Sequence, residues 1–293
     1  MVVSAFDPAI QTQLLHQVTS VFNVPTADYT PLLFRDRPLG RVAAKWKTHL
    51  LCDAAQWVAD AGDHLILKDE APLEDIANGL QNVAMDWYFS GLLSGWRNEF
   101  FLVQDPQTQA PLFPLERSAF RPLGLLSQAV HINGLTLIDD VPHFWIGTRS
   151  PFKAVDPNKL DNLVGGGVSA GETIPEAMMR EGWEEAGMCE ADLSHLEQKS
   201  RCLSLRAVSR GLHREYLHIF DCWLSPEATP QNQDGEVAEF NLMTPAEVAS
   251  AIINQRFMND ATLATLDCLL RLGYISQDHA LAAWLRDCRN AQG

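Results

Sequence analysis

Apolar positions recur at helical spacing from the start of the chain. Ile10, Leu14, Leu15, Val18 and Phe22 share a face behind Asp7-Pro8, a capping residue followed by proline at the first helical position. Leu32–Phe34 and Gly40–Val42 flank Asp36-Arg37-Pro38 and predict a strand, turn, strand unit. Helical intervals return over Ala43–Ala59, through Trp46, Leu50 and Trp57. They return again over Leu73–Gly91, where Ile76, Leu80, Val83 and Trp87 follow the breaker Pro72. Asn98–Val103 reads as a strand. Pro106, Pro111, Pro114 and Pro122 then crowd a tract too proline-rich for a helix or a central strand, and the domain boundary is placed there.

The second half changes character. Leu126–Ile138 and His143–Thr148 predict strands joined by Asp139-Asp140-Val141-Pro142, and Leu160–Val164 predicts another that ends in Gly165-Gly166-Gly167. A helix is expected over Ile174–Ala186, closed by Gly187, with strands near Cys202–Val208, Glu215–Leu224 and Phe240–Met243. Helices over Pro245–Asn254, Ala261–Leu272 and Ala280–Cys288 finish the pattern. The expected organisation is two units, residues 1–122 and 123–293, a length at which each can bury its own core.

Composition narrows the function. Apolar residues make up 46% and charged residues 20%, the balance of a globular chain rather than a disordered one. Net charge is −15, from 22 Lys plus Arg against 37 Asp plus Glu, which argues against binding a nucleic-acid polymer. No apolar run of about 18 or more uncharged residues is present. There is no basic-then-apolar leader pattern, so a cytoplasmic, membrane-free protein is expected. The six cysteines are dispersed without zinc-like spacing and read as reduced thiols.

The chemistry concentrates in one stretch. Gly166-Gly-Val-Ser-Ala-Gly-Glu172 is followed after seven residues by Arg180-Glu181-Gly182-Trp183-Glu184-Glu185-Ala186-Gly187-Met188. On a helix Glu181, Glu184 and Glu185 stand at i, i+3 and i+4, within about 6 Å of one another, where like charges cost stability. A hard divalent cation offsets that cost. Arg180 stands ready to pair with Glu172 or hold Glu181, and the glycines let backbone approach a phosphate or metal. A bare ExxEE is most often a solvated helix face. Here the flanking arginine and glycines point instead to a site.

This run resembles the Nudix box: G, five residues, E, seven residues, then R-E-U-x-E-E-x-G-U with U hydrophobic. One position departs, Gly182 standing where U is expected. The resemblance implies an α/β fold, a Nudix α/β/α sandwich with a mixed sheet, here preceded by a smaller α+β N-terminal domain. It also implies a bound Mg²⁺ or Mn²⁺. By analogy Glu184 and Glu185 are metal ligands, Glu181 is a ligand or general base oriented by Arg180, the Gly165 carbonyl is a further ligand, and Glu172 is supportive. The family often recruits one more glutamate from outside the box. Glu236 is the first choice here and Glu239 the second.

The segments Val130–Gly134, Trp145–Ser150, Lys159–Asn162 and Asn232–Val237 look like a thiamin pyrophosphokinase-related subfamily that pairs an N-terminal domain of unknown function with the Nudix domain. Gly91–Phe101, with Trp96-Arg97-Asn98-Glu99, is compatible with that pairing. The implied substrates are oxidised thiamin diphosphates or 8-oxo-dGDP, cut to a monophosphate and phosphate. Alternatives are ADP-ribose or a nucleoside diphosphate sugar and, from another class, a non-catalytic Nudix-like binding module. A diphosphate needs cations beside the metal, and Arg149, Lys153, Lys159, Arg210 and Arg214 are candidates, with Asn162 among the substrate contacts. Trp145, Phe152 and Trp183 are candidates to stack on a heterocycle, and His131 and Asn133 to reach the pocket. A small-molecule diphosphate is thus the expected partner, with a homodimer an open possibility.

Overall fold

The computed structural model describes residues 4–105, 107–153 and 155–292; Pro106 of the proline-rich tract lies outside them. Helix α1 (Pro8–Phe22) is capped by the Asp7 carboxylate, which accepts from the Ala9 amide at 2.8 Å. There follow β1 (Tyr29–Phe34), β2 (Arg37–Ala43), α2 (Ala44–Asp53), β3 (Val58–Asp60), β4 (Leu65–Leu67) and α3 (Leu73–Phe89). The strands form a sheet ordered β2-β1-β4-β3 in which β1 and β4 run parallel. The helix expected over 43–59 stops at Asp53, because Val58–Asp60 pairs with β4. Trp57 instead lies over Gly79 of α3, where any side chain would overlap its indole.

The proline-rich tract also carries structure. β5 (Phe100–Gln104) and β6 (Pro111–Glu116) make a two-stranded antiparallel sheet, and Pro111 and Pro114 are tolerated because β6 has a single partner strand. α4 (Phe120–Leu123) ends at Gly124, whose left-handed φ of 57° and contact with the Arg41 backbone leave no room for a side chain. The Gly124 carbonyl accepts from the Arg41 amide at 3.2 Å and from Arg214 at 2.6 Å, joining the two halves.

The second half contains β7 (Leu126–Ile138), β8 (Val141–Arg149), β9 (Leu160–Asp161), β10 (Val164–Gly167), α5 (Ile174–Ala186), α6 (Glu190–Leu193), β11 (Gln198–Val208), β12 (Gly211–Trp223), β13 (Val237–Met243), α7 (Pro245–Ile253), α8 (Asn259–Leu272) and α9 (Ala280–Asn290). Its mixed sheet is ordered β11-β12-β7-β8-β13, with β7 and β12 parallel. β7 and β8 pair only near their shared turn and then part. β10 fills the fork beside β7 and β9 beside β8, so the single strand expected over 160–164 is split at Asn162-Leu163.

Strand side chains alternate between two helical layers. Val130, Ile132, Phe220 and Cys222 pack with Met178 of α5 and Leu193 of α6. Ala129, Leu135, Leu217 and Ile219 face α7, α8 and α9. Leu14 and Val18 of α1 join that second cluster, so the opening helix packs on the later helices and not on the sheet that follows it. A third core, around Leu32, Trp46, Leu50, Ile76 and Phe120, belongs to the N-terminal sheet, α2 and α3. Among the described residues no helix is long and apolar enough to cross a membrane.

Candidate active site

The site is built on α5. Thr173 and Glu176 form a reciprocal capping box at its start, and Pro175 sits in its first turn. At its end Gly187 takes φ 67°, and the Met188 amide returns to the Gly182 carbonyl at 3.0 Å. The same end holds a second segment by its backbone. Gln231 N donates to Ala186 O at 2.9 Å and Gln233 N to Glu184 O at 2.8 Å, which carries Glu236 to the glutamate face.

On that face Arg180 is the hub. Its guanidinium donates to Glu172 at 2.6 and 2.9 Å, to Glu181 at 2.7 Å, to Glu184 at 3.2 Å and to the Gly167 carbonyl at 3.0 Å. Glu172 also accepts from the Ser169 amide at 3.0 Å, and the Arg180 bonds hold its carboxyl below its ordinary range. Burial pushes the Glu181 carboxyl up, with Arg180 only partly opposing it. A side chain at Gly166 would overlap that carboxyl, so the glycine is the cradle in which Glu181 lies.

Glu185 is 5% exposed and accepts from the Gly165 amide at 2.8 Å. Burial, reinforced by the Glu181 charge, raises its carboxyl to about 8. Lys153, itself buried, lies 3.7 Å from Glu185 and pairs closely with Glu236, while burial lowers its ammonium pKa. The donor set is therefore all oxygen, crowded and short of positive charge, and it fits a hard divalent cation.

Residues 131–262 match the NUDIX domain family model. This region is a Nudix domain. The chain is 35% identical over 198 residues to Nudix hydrolase 24, chloroplastic, of Arabidopsis thaliana, covering 63% of this chain and 51% of that protein. It is 56% identical over 111 residues to a Nudix hydrolase of Deinococcus radiodurans, covering 37% and 59% respectively. The chain thus spans about half the length of the curated relatives it matches. Among solved structures, the NUDIX domain of Shewanella oneidensis NrtR complexed with ADP ribose superposes with a TM-score of 0.39 at 16% identity, over 50% of this chain and 87% of that one.

Within the Nudix domain the departure at Gly182 has a local cause. A methyl there would come within 2.5 Å of Leu193 Cδ1, so the glycine lets fully buried Leu193 of α6 close on α5. The box residues Glu172, Arg180, Glu181, Glu184 and Glu185 come together, with Gly165 beneath them and Glu236 reached through Lys153.

Several residues expected at substrate lie in the interior instead. Arg149 pairs with Asp161 at 2.6 Å and donates to the Val155 carbonyl at 3.0 Å, bracing the loop that bears Lys153. Arg214 serves the carbonyls of Gly124 and Leu39 at the junction of the halves. Trp145 is a core residue whose indole donates to Thr136 at 3.0 Å. Asn162, in the strand fork, bonds His131, Asn133 and Thr265 at 2.9 to 3.0 Å, which also places His131 and Asn133 in a buried network. Lys159 lies 3.5 Å from Asp156 and lines a cavity with Phe22 and Phe257. Glu239 is exposed on β13 and accepts from Thr148 at 3.4 Å. Arg210 donates to the Ser94 carbonyl at 3.2 Å. Burial cannot be read from residue type, and the strand fork that encloses Asn162 was not anticipated.

Three residues of the N-terminal half that no motif singles out also reach the site. Arg97 lies 3.4 Å from Glu236, Glu99 adds to the negative field on Glu181, and Arg117 pairs with Glu99. No spacing links them to the box.

Among the described residues a further trio, His213 with the acids Glu215 and Asp260, has ligand atoms within 4.8 Å of one another. It is already matched by Arg121 on Glu215 at 3.0 Å and Arg206 on Asp260 at 2.6 Å.

Proposed function

We propose that this protein is a divalent-metal-dependent hydrolase that cleaves the diphosphate linkage of a small organic molecule, adding water to give a monophosphate and phosphate. The observation that carries the reading is the buried carboxylate pair Glu181 and Glu185. Burial raises both, and Arg180 and Lys153 beside them only partly oppose it. Glu184, Glu185 and the Gly165 carbonyl would hold Mg²⁺ or Mn²⁺, with Glu181 and Glu236 as further ligands or as the base. The cation, when bound, neutralises phosphate charge and acidifies water.

This chain's own residues do the rest. Arg180 fixes Glu181 against the Gly166 cradle, where burial raises the carboxyl's affinity for a proton. Glu172 anchors Arg180, and the loop docked on the end of α5 sets Glu236. The intact carboxylate set disfavours a non-catalytic binding module.

The substrate assigned is an oxidised thiamin diphosphate or 8-oxo-dGDP. It rests on the resemblance carried by Val130–Gly134, Trp145–Ser150, Lys159–Asn162 and Asn232–Val237. Phe152, 93% exposed next to Lys153, and Trp183, 55% exposed next to Glu184, are the aromatic faces available to a heterocycle.

A phosphate-release and product-mass assay with Mg²⁺ or Mn²⁺ tests this on oxythiamin diphosphate, oxothiamin diphosphate, thiamin diphosphate, 8-oxo-dGDP and ADP-ribose. Preference for the oxidised compounds is expected. Preference for ADP-ribose, with two monophosphates as products, would keep the chemistry and replace the substrate. Inactivity on all five, indifferent to EDTA, would overturn the hydrolase reading.

A further inference from the structure

We propose that Arg97, carried by the N-terminal half, binds the substrate's diphosphate in the Nudix site, so that this half forms a wall of the site. The inference rests on the hydrolase reading for its substrate class and on separate geometry for its residue.

The segment bearing Arg97 is tied down on both sides. The Arg97 amide donates to the buried Glu116 carboxylate at 3.1 Å, and the Trp96 indole donates to Asn98 at 2.8 Å. Asn98 takes a left-handed φ of 57°, which turns the chain between Arg97 and Glu99. Beyond it, the Arg117 amide donates to the Glu99 carbonyl at 2.9 Å, and the Ala170 amide to the Phe100 carbonyl at 2.7 Å. Phe101 lies against Gly167, where a side chain would meet its ring. The backbone of 97–101 is therefore fastened to the glycine-rich strand that cradles Glu181.

The Arg97 guanidinium is left lightly engaged. It is 41% exposed, and among the described residues its one carboxylate contact is a single 3.4 Å approach to Glu236. Glu236 already has the closely paired Lys153 ammonium, so two cations meet on one carboxylate. A guanidinium with unused donors, rigidly based beside the catalytic carboxylates of a chain of net charge −15, matches a phosphate in charge and fork geometry. Glu99, held by Arg117, adds to the negative field on Glu181 beside this segment.

The test uses the full chain and the variants Arg97→Ala and Arg97→Lys, with Arg286→Ala as a distant surface control. Two quantities are measured: inorganic pyrophosphate binding by calorimetry with Mg²⁺, and KM and kcat on whichever diphosphate the wild type hydrolyses best. Arg97→Ala is expected to weaken pyrophosphate and raise KM about tenfold, with kcat changed less than threefold and an unaltered unfolding temperature. Arg97→Lys should recover part of the loss. Wild-type KM and pyrophosphate affinity in Arg97→Ala would overturn the proposal while leaving hydrolysis standing. Arg97-dependent pyrophosphate binding by a chain that hydrolyses nothing would support the proposal and sink the hydrolase reading.

Discussion

Two carboxylate clusters lie in the Nudix domain, and they differ in how their charge is balanced. Around Asp260 and Glu215 the balance is closed. Arg206 and Ser204 meet the first, Arg121 and Ser127 the second. Burial alone would raise both carboxyls, yet these partners hold Asp260 well below its usual range and lower Glu215 as well. Around α5 the balance stays open, for Glu181 and Glu185 are raised despite Arg180 and Lys153. Buried acids with all their partners serve the fold. Buried acids whose partners do not offset burial mark the face proposed above to hold a cation.

The largest effect should come from breaking the closed cluster. Asp260→Asn strands Arg206 in the interior and is expected to cost about 3–5 kcal/mol in denaturant unfolding, with turnover per folded molecule unchanged. A loss under about 1 kcal/mol would show that the cluster is not a structural unit.

Acid should strain the same layer. Burial, with Arg121 beside it, lowers the His213 pKa, and burial together with Arg201 lowers His218 to about 4. Both folded values lie below the unfolded value, so the unfolded chain binds more protons in the window between them. The contribution of these two histidines to stability is then full above about pH 6.5 and falls as pH drops towards 4, with His218 accounting for about 3 kcal/mol across that range. Unfolding free energy measured against pH checks this, and His218→Gln should flatten part of the slope. An unchanged slope in that variant would reject the assignment.

The open cluster should respond in the opposite sense. Glu184→Gln and Glu185→Gln are each expected to lower kcat about 100-fold or more, about 2.7 kcal/mol of barrier. In EDTA, Glu185→Gln should melt no lower than wild type, since its carboxyl is already disfavoured by burial. Less than tenfold loss in both variants would remove them as metal ligands.

The glutamate helix is legible because glutamate spacing and terminating glycine agree along one local stretch, and α5 spans Ile174–Ala186 as its pattern predicts. The mixed sheet followed from the family resemblance. What stayed hidden was set by distant parts of the chain. Trp57 shares a helical interval with Trp46 but leaves the helix because β4 offers a partner to Val58–Asp60. Arg149, Arg214, Trp145 and Asn162 were chosen for their chemistry, and only packing shows that their polar groups already have partners. Arg97 and Glu99 reach the site by the docking of one half on the other, which no spacing encodes.

The packing of α1 has a mechanical consequence. Leu14 and Val18 bury against the later helices, and Phe22 meets Trp284 with ring centroids 5.8 Å apart. Residues 23–125 therefore leave from and return to one body, a loop with both ends anchored on the same frame. A part held by two tethers has fewer ways to swing than one held by a single linker. A minimal unit cut at residue 122 would lose the helix that covers Val248 and Leu281, and a graft of the Nudix fold should carry residues 8–22 with it.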